Sequence, residues 1–417
     1  MALWCLGILC FSVVFVPRFF TFMNFGYGFS DLGLYSQFLT GISQNHFNPP
    51  ILTFGKNFLT LKPEPIVYLF YPLIQLTRSP STFLFFDAFC MIIAAGVCAN
   101  VAWRKLNNLR FVDGIFFIIL FCPLTLESLH APSRMTVWAQ APLALLMAEY
   151  SLQRRPMWLA SLFALLCLFN LSFGALAFVL VPLLVATRMK RWNLRRRLRC
   201  ACPIGLIGFV SLIFLKLTGN SFVLEYDLFW QTLGESITLW FILFWFLPAL
   251  SIDILIVAGF LLCLKIPGSP HDPSLIAPLG AIAAINSLEL LALKQKWIKR
   301  TLAAGLVATA VYFNLISPDP FFSPWKPEHY RLLTANKGIH DMIAKIPPDA
   351  SVVAIDSLSV HLTQHLNMAT LGSWSVRDMN PDYVLTRYEP TPFDHDRHYQ
   401  QVEINSETGA RLLRRIK

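Results

Sequence analysis

The sequence predicts a polytopic α-helical membrane protein of about eleven spans, followed by a small α/β domain outside the cytoplasm. Three observations carry that expectation. Of 417 residues, 55% are hydrophobic and only 14% charged, whereas an ordinary soluble domain is about 25% charged; the apolar surplus calls for lipid as its solvent. Several apolar stretches approach or exceed the roughly 20 residues that a helix needs to cross a hydrocarbon core of about 30 Å. The basic residues cluster in short loops between these stretches, at Arg104-Lys105, Arg154-Arg155, residues 188–199 and residues 294–300, which is the positive-inside pattern of cytoplasmic loops.

The elements follow in order. Residues 2–16 read as a first span rather than a removed leader, with Phe19, Phe20 and Phe22 extending it to the interface. A polar loop rich in Gly, Asn and Pro runs to Pro65 and faces outward once the basic loops are assigned to the cytoplasm. Residues 66–76 are too short to span, which fits a helix lying at the interface. Spans are expected over 82–103, 111–126 and 136–152, then a shorter pair over 157–171 and 173–187 joined around Asn170. The basic run 188–199 lies at the inner leaflet, where anionic lipid attracts it. Further spans are expected over 203–217, 237–250, 252–266, 275–293 and 302–316. This places the N-terminus in the cytoplasm and divides the chain into a membrane part, 1–316, with an outer loop at 21–65, and an extracytoplasmic part, 317–417.

After Ser317 the composition becomes that of a soluble domain. Residues 327–346 have helical spacing, with Tyr330, Leu333, Ile339, Met342 and Ile343 as the buried face. Pro347-Pro348-Asp349 ends that helix, 351–355 reads as a strand, and 382–386 and 402–413 read as further strands, the last turning at 406–409.

The formal charge of +10 raises the question of nucleic acid. From Ser317 onward there are 11 Lys/Arg against 12 Asp/Glu, which leaves 23 against 12 before it. The excess therefore sits in the loops of the membrane part as a topology signal, and nucleic acid is not an expected partner. All nine cysteines precede Leu264. They imply neither a disulfide framework nor a zinc site, since Cys200-Ala-Cys202 lacks a second pair.

No nucleotide-binding loop, zinc-protease helix or nucleophile elbow is present. The informative segment is Tyr27-Gly28-Phe29-Ser30-Asp31-Leu32-Gly33-Leu34-Tyr35-Ser36-Gln37. Asp31 fits a general base for an acceptor hydroxyl or a ligand to a divalent metal, and equally an N-cap for a helix starting at Leu32. Lys62 and Glu64 fit a phosphate grip or a solvated interfacial pair. Arg134, beside His130, fits a phosphate clamp or a snorkelling side chain. His271 with Asp272 fits a substrate contact or a helix-capping segment. His361, His365, His395 and His398 have spacing that suits a metal, or a solvated loop.

The segment 31–37, followed by Asn57-Phe58 and the run 63–72, resembles the bacterial and archaeal membrane-protein family catalogued as domain of unknown function 2079. His271-Asp272-Pro273, Ile346-Pro347-Pro348-Asp349-Ala350-Ser351-Val352 and Asp382-Tyr383-Val384-Leu385 extend the resemblance in order along most of the chain. That family looks like a branch of the GT-C membrane glycosyltransferases, which take sugars from polyprenyl-phosphate donors at the outer face of the membrane. The resemblance implies a bacterial inner-membrane location, a lipid-linked sugar donor and Asp31 as the essential acid of the first outer loop. It also implies Gln37, Lys62, Glu64, His130, Arg134, His271 and Asp272 as candidate substrate contacts. Lys62 stands where the family shows His, and Asn170-Leu171-Ser172 where it often carries an acid. The competing expectation is a non-enzymatic flippase or envelope scaffold; transport calls for ionisable or broken spans near the midplane, for which Asp87, Asp253 and Glu289 are the candidates.

Overall fold

The computed structural model describes residues 2–43, 47–77, 79–121, 138–152, 156–187, 193–221, 223–224, 244, 247–265, 275, 277–292, 301–302, 304–306, 308–309, 312, 331–365, 367–371, 380–387 and 391–416. They form two compact units: one of residues 1–7, 62–66 and 87–323, the other of residues 8–61, 67–86 and 324–417. The first helix from Ile8 onward and most of the first loop thus group with the C-terminal sheet, whereas the sequence places the division at residue 316.

In the second unit, α1 (Ala2–Met23) is a single helix that runs through Pro17, several residues longer than the apolar stretch alone predicts. Thr21 Oγ1 donates to Pro17 O at 2.9 Å. Phe11 and Phe15 stack on one another and both meet the edge of Phe85, which lies in α5 (Ser81–Leu106). The helix ends in a tight closure: Phe25 N donates to Phe22 O, Gly26 N donates to Thr21 O, and Phe25 takes the left-handed φ of 60°. Glycine ordinarily fills such a position because a Cβ is strained there. Phe25 is held in it by packing against His340 and His361.

The loop that follows folds into a π-helical turn, Phe29–Gly33, and α2 (Leu34–Ile42). After it come the short β1 (Pro50–Ile51) and β2 (Lys56–Asn57) pair, and α3 (Phe58–Leu61). Tyr35, Phe38 and Phe58 are fully buried, with Phe38 stacked on Phe58 at 4.0 Å. The expected interfacial segment is a 3-10 turn, Pro65–Phe70, running into α4 (Tyr71–Thr77). Leu69, Leu73 and Leu76 are exposed along it, as a helix on a lipid surface requires.

The first unit is helical. Its described elements are most of α5, then α6 (Leu109–Phe121), α7 (Gln140–Leu152), α8 (Pro156–Phe169), a 3-10 segment Leu171–Leu176, α9 (Ala177–Thr187), α10 (Leu194–Leu217), α11 (Ile252–Cys263) and α12 (Ala277–Ala292). The small pair β3 (Val223–Leu224) and β4 (Leu264–Lys265) joins them. Helix α10 begins at Leu194, nine residues before its expected start at Pro203. Arg and Leu are strong helix formers, so the basic run continues the helix instead of breaking it. Among the described residues, Ser81–Leu106 and Arg197–Leu217 are long and apolar enough to cross a membrane alone. On α10, Leu206, Phe209, Ile213, Phe214 and Leu217 are all exposed. Their three-and-four spacing makes an apolar stripe that only lipid or another protein can cover. The opposite side of α10 packs closely: a Cβ at Gly208 would lie 2.7 Å from Gly174 O and one at Gly174 would lie 2.8 Å from Gly208 O.

The C-terminal part of the second unit holds α13 (Thr334–Ala344), β5 (Val352–Ala354), α14 (Asp356–Ser359), a 3-10 turn Val360–Leu362, β6 (Met368–Thr370), β7 (Tyr383–Arg387), β8 (Tyr399–Asn405) and β9 (Ala410–Arg415). The strands form one sheet in the order β6-β5-β7-β9-β8. β5 runs parallel to β6 and β7, and the β8–β9 hairpin adds antiparallel to β7. β5 and β6 are buried at every residue, as parallel strands covered on both faces are. The hairpin turns at 406–409, as its sequence predicts. β6, three residues long, gave no alternating pattern from which to foresee it.

Candidate functional site

Asp31 lies inside the turn Phe29–Gly33. The helix expected to start at Leu32 instead starts at Leu34, as α2, with Gly33 in its N-cap position. A single π-helical turn is uncommon and recurs at functional sites, because it displaces one residue from the regular ladder. The turn closes on Phe29, whose ring packs so near Gly33 that a Cβ there would overlap it.

Within the same unit, the C-terminal sheet supplies the frame for this segment. Phe29 N donates to Asp356 Oδ1 at 3.0 Å. Thr363 Oγ1 donates to Ser36 Oγ at 2.8 Å, and Thr370 N donates to Thr53 Oγ1 at 3.3 Å. Gln37, a candidate substrate contact, is buried and donates from Nε2 to Met368 O at 2.9 Å, which commits that amide to the edge strand β6. At the mouth of α1, the Asn24 side chain accepts from Leu333 N at 2.9 Å and donates to Arg331 O at 3.0 Å, binding the N-terminal end of α13. His340 Nε2 meets Met23 O at 2.8 Å and His361 Nε2 meets Phe22 O at 3.0 Å. Burial, helped by the neighbouring His340, pushes the His361 imidazole down to about 3, so it is neutral at physiological pH. Burial likewise lowers the His365 imidazole.

A second polar group belongs to the first unit. Lys62 and Glu64 are both buried, at 2% and 4% exposure, which corrects the reading of a solvated pair. They flank Pro63, whose carbonyl accepts from Leu171 N at 3.0 Å, and Glu64 N closes on Lys62 O at 2.9 Å. Asn170, also buried, caps the 3-10 segment by accepting from Ser172 N at 2.9 Å. A lysine and a glutamate taken out of water this fully are rare, and the sharp turn anchored at Pro63 holds them in fixed directions.

His130, Arg134, His271 and Asp272 lie outside the described residues, as does His46. No group of three or more His, Cys, Asp or Glu that could hold a metal ion occurs among the described residues. Of the four C-terminal histidines, His361 is committed through its ring to Phe22 O at 3.0 Å. Of the ionisable groups in the spans, Asp253 accepts from Tyr150 OH at 3.0 Å and Glu289 pairs with Lys105 at 2.6 Å, while Asp87 is fully buried.

Asp356, Thr363 and Met368 escaped the sequence reading. The available signal was an aspartate directly after a buried apolar strand, at Ile355-Asp356; the backbone carbonyl of Met368 leaves no trace in sequence at all.

No family model matches the chain, and no curated protein does. Solved structures do. The crystal structure of ArnT from Cupriavidus metallidurans bound to undecaprenyl phosphate is similar over 97% of this chain and 97% of that one, with a TM-score of 0.62 at 12% identity. The apo structure of the same protein is similar over 99% and 98%, with a TM-score of 0.63 and again 12% identity. The fold of this chain thus matches that of ArnT along nearly its whole length.

Proposed function

We propose that this chain is a membrane glycosyltransferase of the GT-C kind, transferring a sugar from a polyprenyl-phosphate donor to an acceptor hydroxyl at the outer face of the bacterial inner membrane. The observation that carries the reading is the likeness of fold to ArnT over 97% of both chains, the helical part and the C-terminal sheet included; one ArnT structure holds undecaprenyl phosphate. Fold alone does not fix chemistry, so the assignment of roles rests on the residues.

Asp31 takes the proton of the acceptor hydroxyl as its oxygen attacks the anomeric carbon. The bond from that carbon to the phosphate oxygen breaks, and polyprenyl phosphate departs carrying the negative charge. Cations stabilise that charge most where water is excluded. Lys62, 2% exposed, meets that condition, and Arg134 is the second candidate. Glu64 orients Lys62 or the donor. The cytoplasmic N-terminus and outward C-terminal domain follow from the basic loops. The flippase alternative draws less support, because Asp253 and Glu289 are engaged by Tyr150 and Lys105.

The test compares lipid-linked sugar pools in cells lacking the native chain and supplied with wild type, Asp31→Asn or Asp31→Ala at matched levels. The expected result is consumption of one polyprenyl-phosphate sugar by wild type and by neither variant. Wild-type consumption by both variants would return the lead to a non-catalytic role.

A further inference from the structure

Open α/β sheets take their ligands outside the carboxyl ends of the strands, where the strand order reverses. Here the chain leaves β5 for β6 on one side and returns to β7 on the other, so the reversal lies beside the carboxyl end of β5. Asp356 follows that end by two residues. What it receives there is part of the same chain: Phe29 N donates to Asp356 Oδ1 at 3.0 Å. Gly28 comes so close that a Cβ at that position would overlap Asp356 Oδ2. Phe29 is the first residue of the turn that contains Asp31 and is itself buried.

We infer that Asp356 is a positioning residue for the proposed transfer: its carboxylate fixes the Gly28–Phe29 backbone and thereby the start of the π-helical turn that presents Asp31. The inference rests on the transferase reading. Three features make the contact a built one. Asp356 is placed by α14, whose Ser359 Oγ donates to Asp356 O at 2.6 Å. The strand end beside it is tied by Ile355 N to Leu385 O and Leu371 N to Ala354 O. Only glycine at position 28 lets the backbone approach the carboxylate this closely. A hydrogen bond to a charged acceptor is stronger than one between neutral groups, and the reactive groups of an enzyme tolerate little misplacement: 1 Å can cost about a hundredfold in rate.

The experiment uses the full chain in lipid nanodiscs and reads two things: hydrogen exchange of peptides covering residues 27–33, and consumption of the polyprenyl-phosphate sugar pool of the source membranes. Asp356→Ala is expected to raise exchange over 27–33 by about tenfold and to slow consumption by about tenfold. Asp356→Asn, whose amide oxygen still accepts from Phe29 N, should stay within about threefold of wild type in both. Gly28→Ala should resemble Asp356→Ala, and the double variant should be no worse than either single one, since both remove one contact. Unchanged exchange in Asp356→Ala beside an inactive Asp31→Asn overturns the role of Asp356 alone. So does a double variant whose losses multiply. Normal consumption by Asp31→Asn overturns the transfer reading itself, and the positioning role with it.

Discussion

The imidazole of His361 lies on the ring of Phe22 at 4.2 Å with the planes 20° apart, while its Nε2 meets the carbonyl oxygen of that same residue at 3.0 Å. One side chain of the C-terminal domain thus grips both the ring and the backbone at the end of the first helix, and His340 stands at 5.3 Å from it. The folded state holds His361 below its ordinary value of 6.5, down to about 3. The unfolded chain therefore binds the proton more readily, so the stability this contact contributes is complete above pH 6.5 and is lost as pH falls toward 3. The thermal midpoint of the detergent-solubilised chain should fall between pH 7 and 4. His361→Phe, which keeps a ring on Phe22, should flatten that fall; an equally steep fall would show that the titration lies elsewhere.

Gln37 separates an anchor from a substrate contact. Its Nε2 is spent on Met368 O, so Gln37→Leu should leave that buried carbonyl without its donor and destabilise the second unit by about 1–3 kcal/mol. Donor consumption should be unchanged at temperatures where the variant is folded. A raised requirement for donor with no loss of stability would restore the substrate-binding role.

Lys62 is a test of electrostatics at constant volume. Lys62→Met removes the charge, keeps the unbranched stem and should leave the turn at Pro63 in place, because that turn is held by Leu171 N. Turnover should drop by about a hundredfold or more, the scale of losing one group that stabilises a leaving charge. Near wild-type turnover in the methionine variant would remove Lys62 from the site.

Gly208 and Gly205 lie one turn apart on α10 and should respond oppositely. A Cβ at Gly208 would sit 2.5 Å from Ala177 Cβ and 2.7 Å from Gly174 O, whereas one at Gly205 meets nothing within 4 Å. Gly208→Ala should cost about 1–3 kcal/mol through overpacking. Gly205→Ala should be neutral or stabilise by up to about 1 kcal/mol through helix propensity. Equal melting shifts for the two would mean that α10 does not pack as described.

Local periodicity and charge are properties of neighbouring residues, and so the sequence by itself determined much of the helical content and the terminal hairpin. The apolar run of α5 and the turn at 406–409 stand where spacing puts them; the helix expected over 327–346 runs from Thr334 to Ala344 among the described residues, and Leu333, expected on its buried face, is exposed ahead of it. The glycine and aspartate of residues 27–37 likewise marked the segment that the proposed transfer relies on. What only the tertiary structure decided depends on contacts between residues hundreds of positions apart. The Phe29–Gly33 turn begins where Phe29 N meets Asp356 across 327 positions. Lys62 and Glu64 are buried on either side of Pro63, whose carbonyl pairs with Leu171 N, and Gln37 turns to the backbone of β6. Such partners carry no local signature: a backbone carbonyl is identical in every residue, and whether a charge is solvated is fixed only by what folds over it.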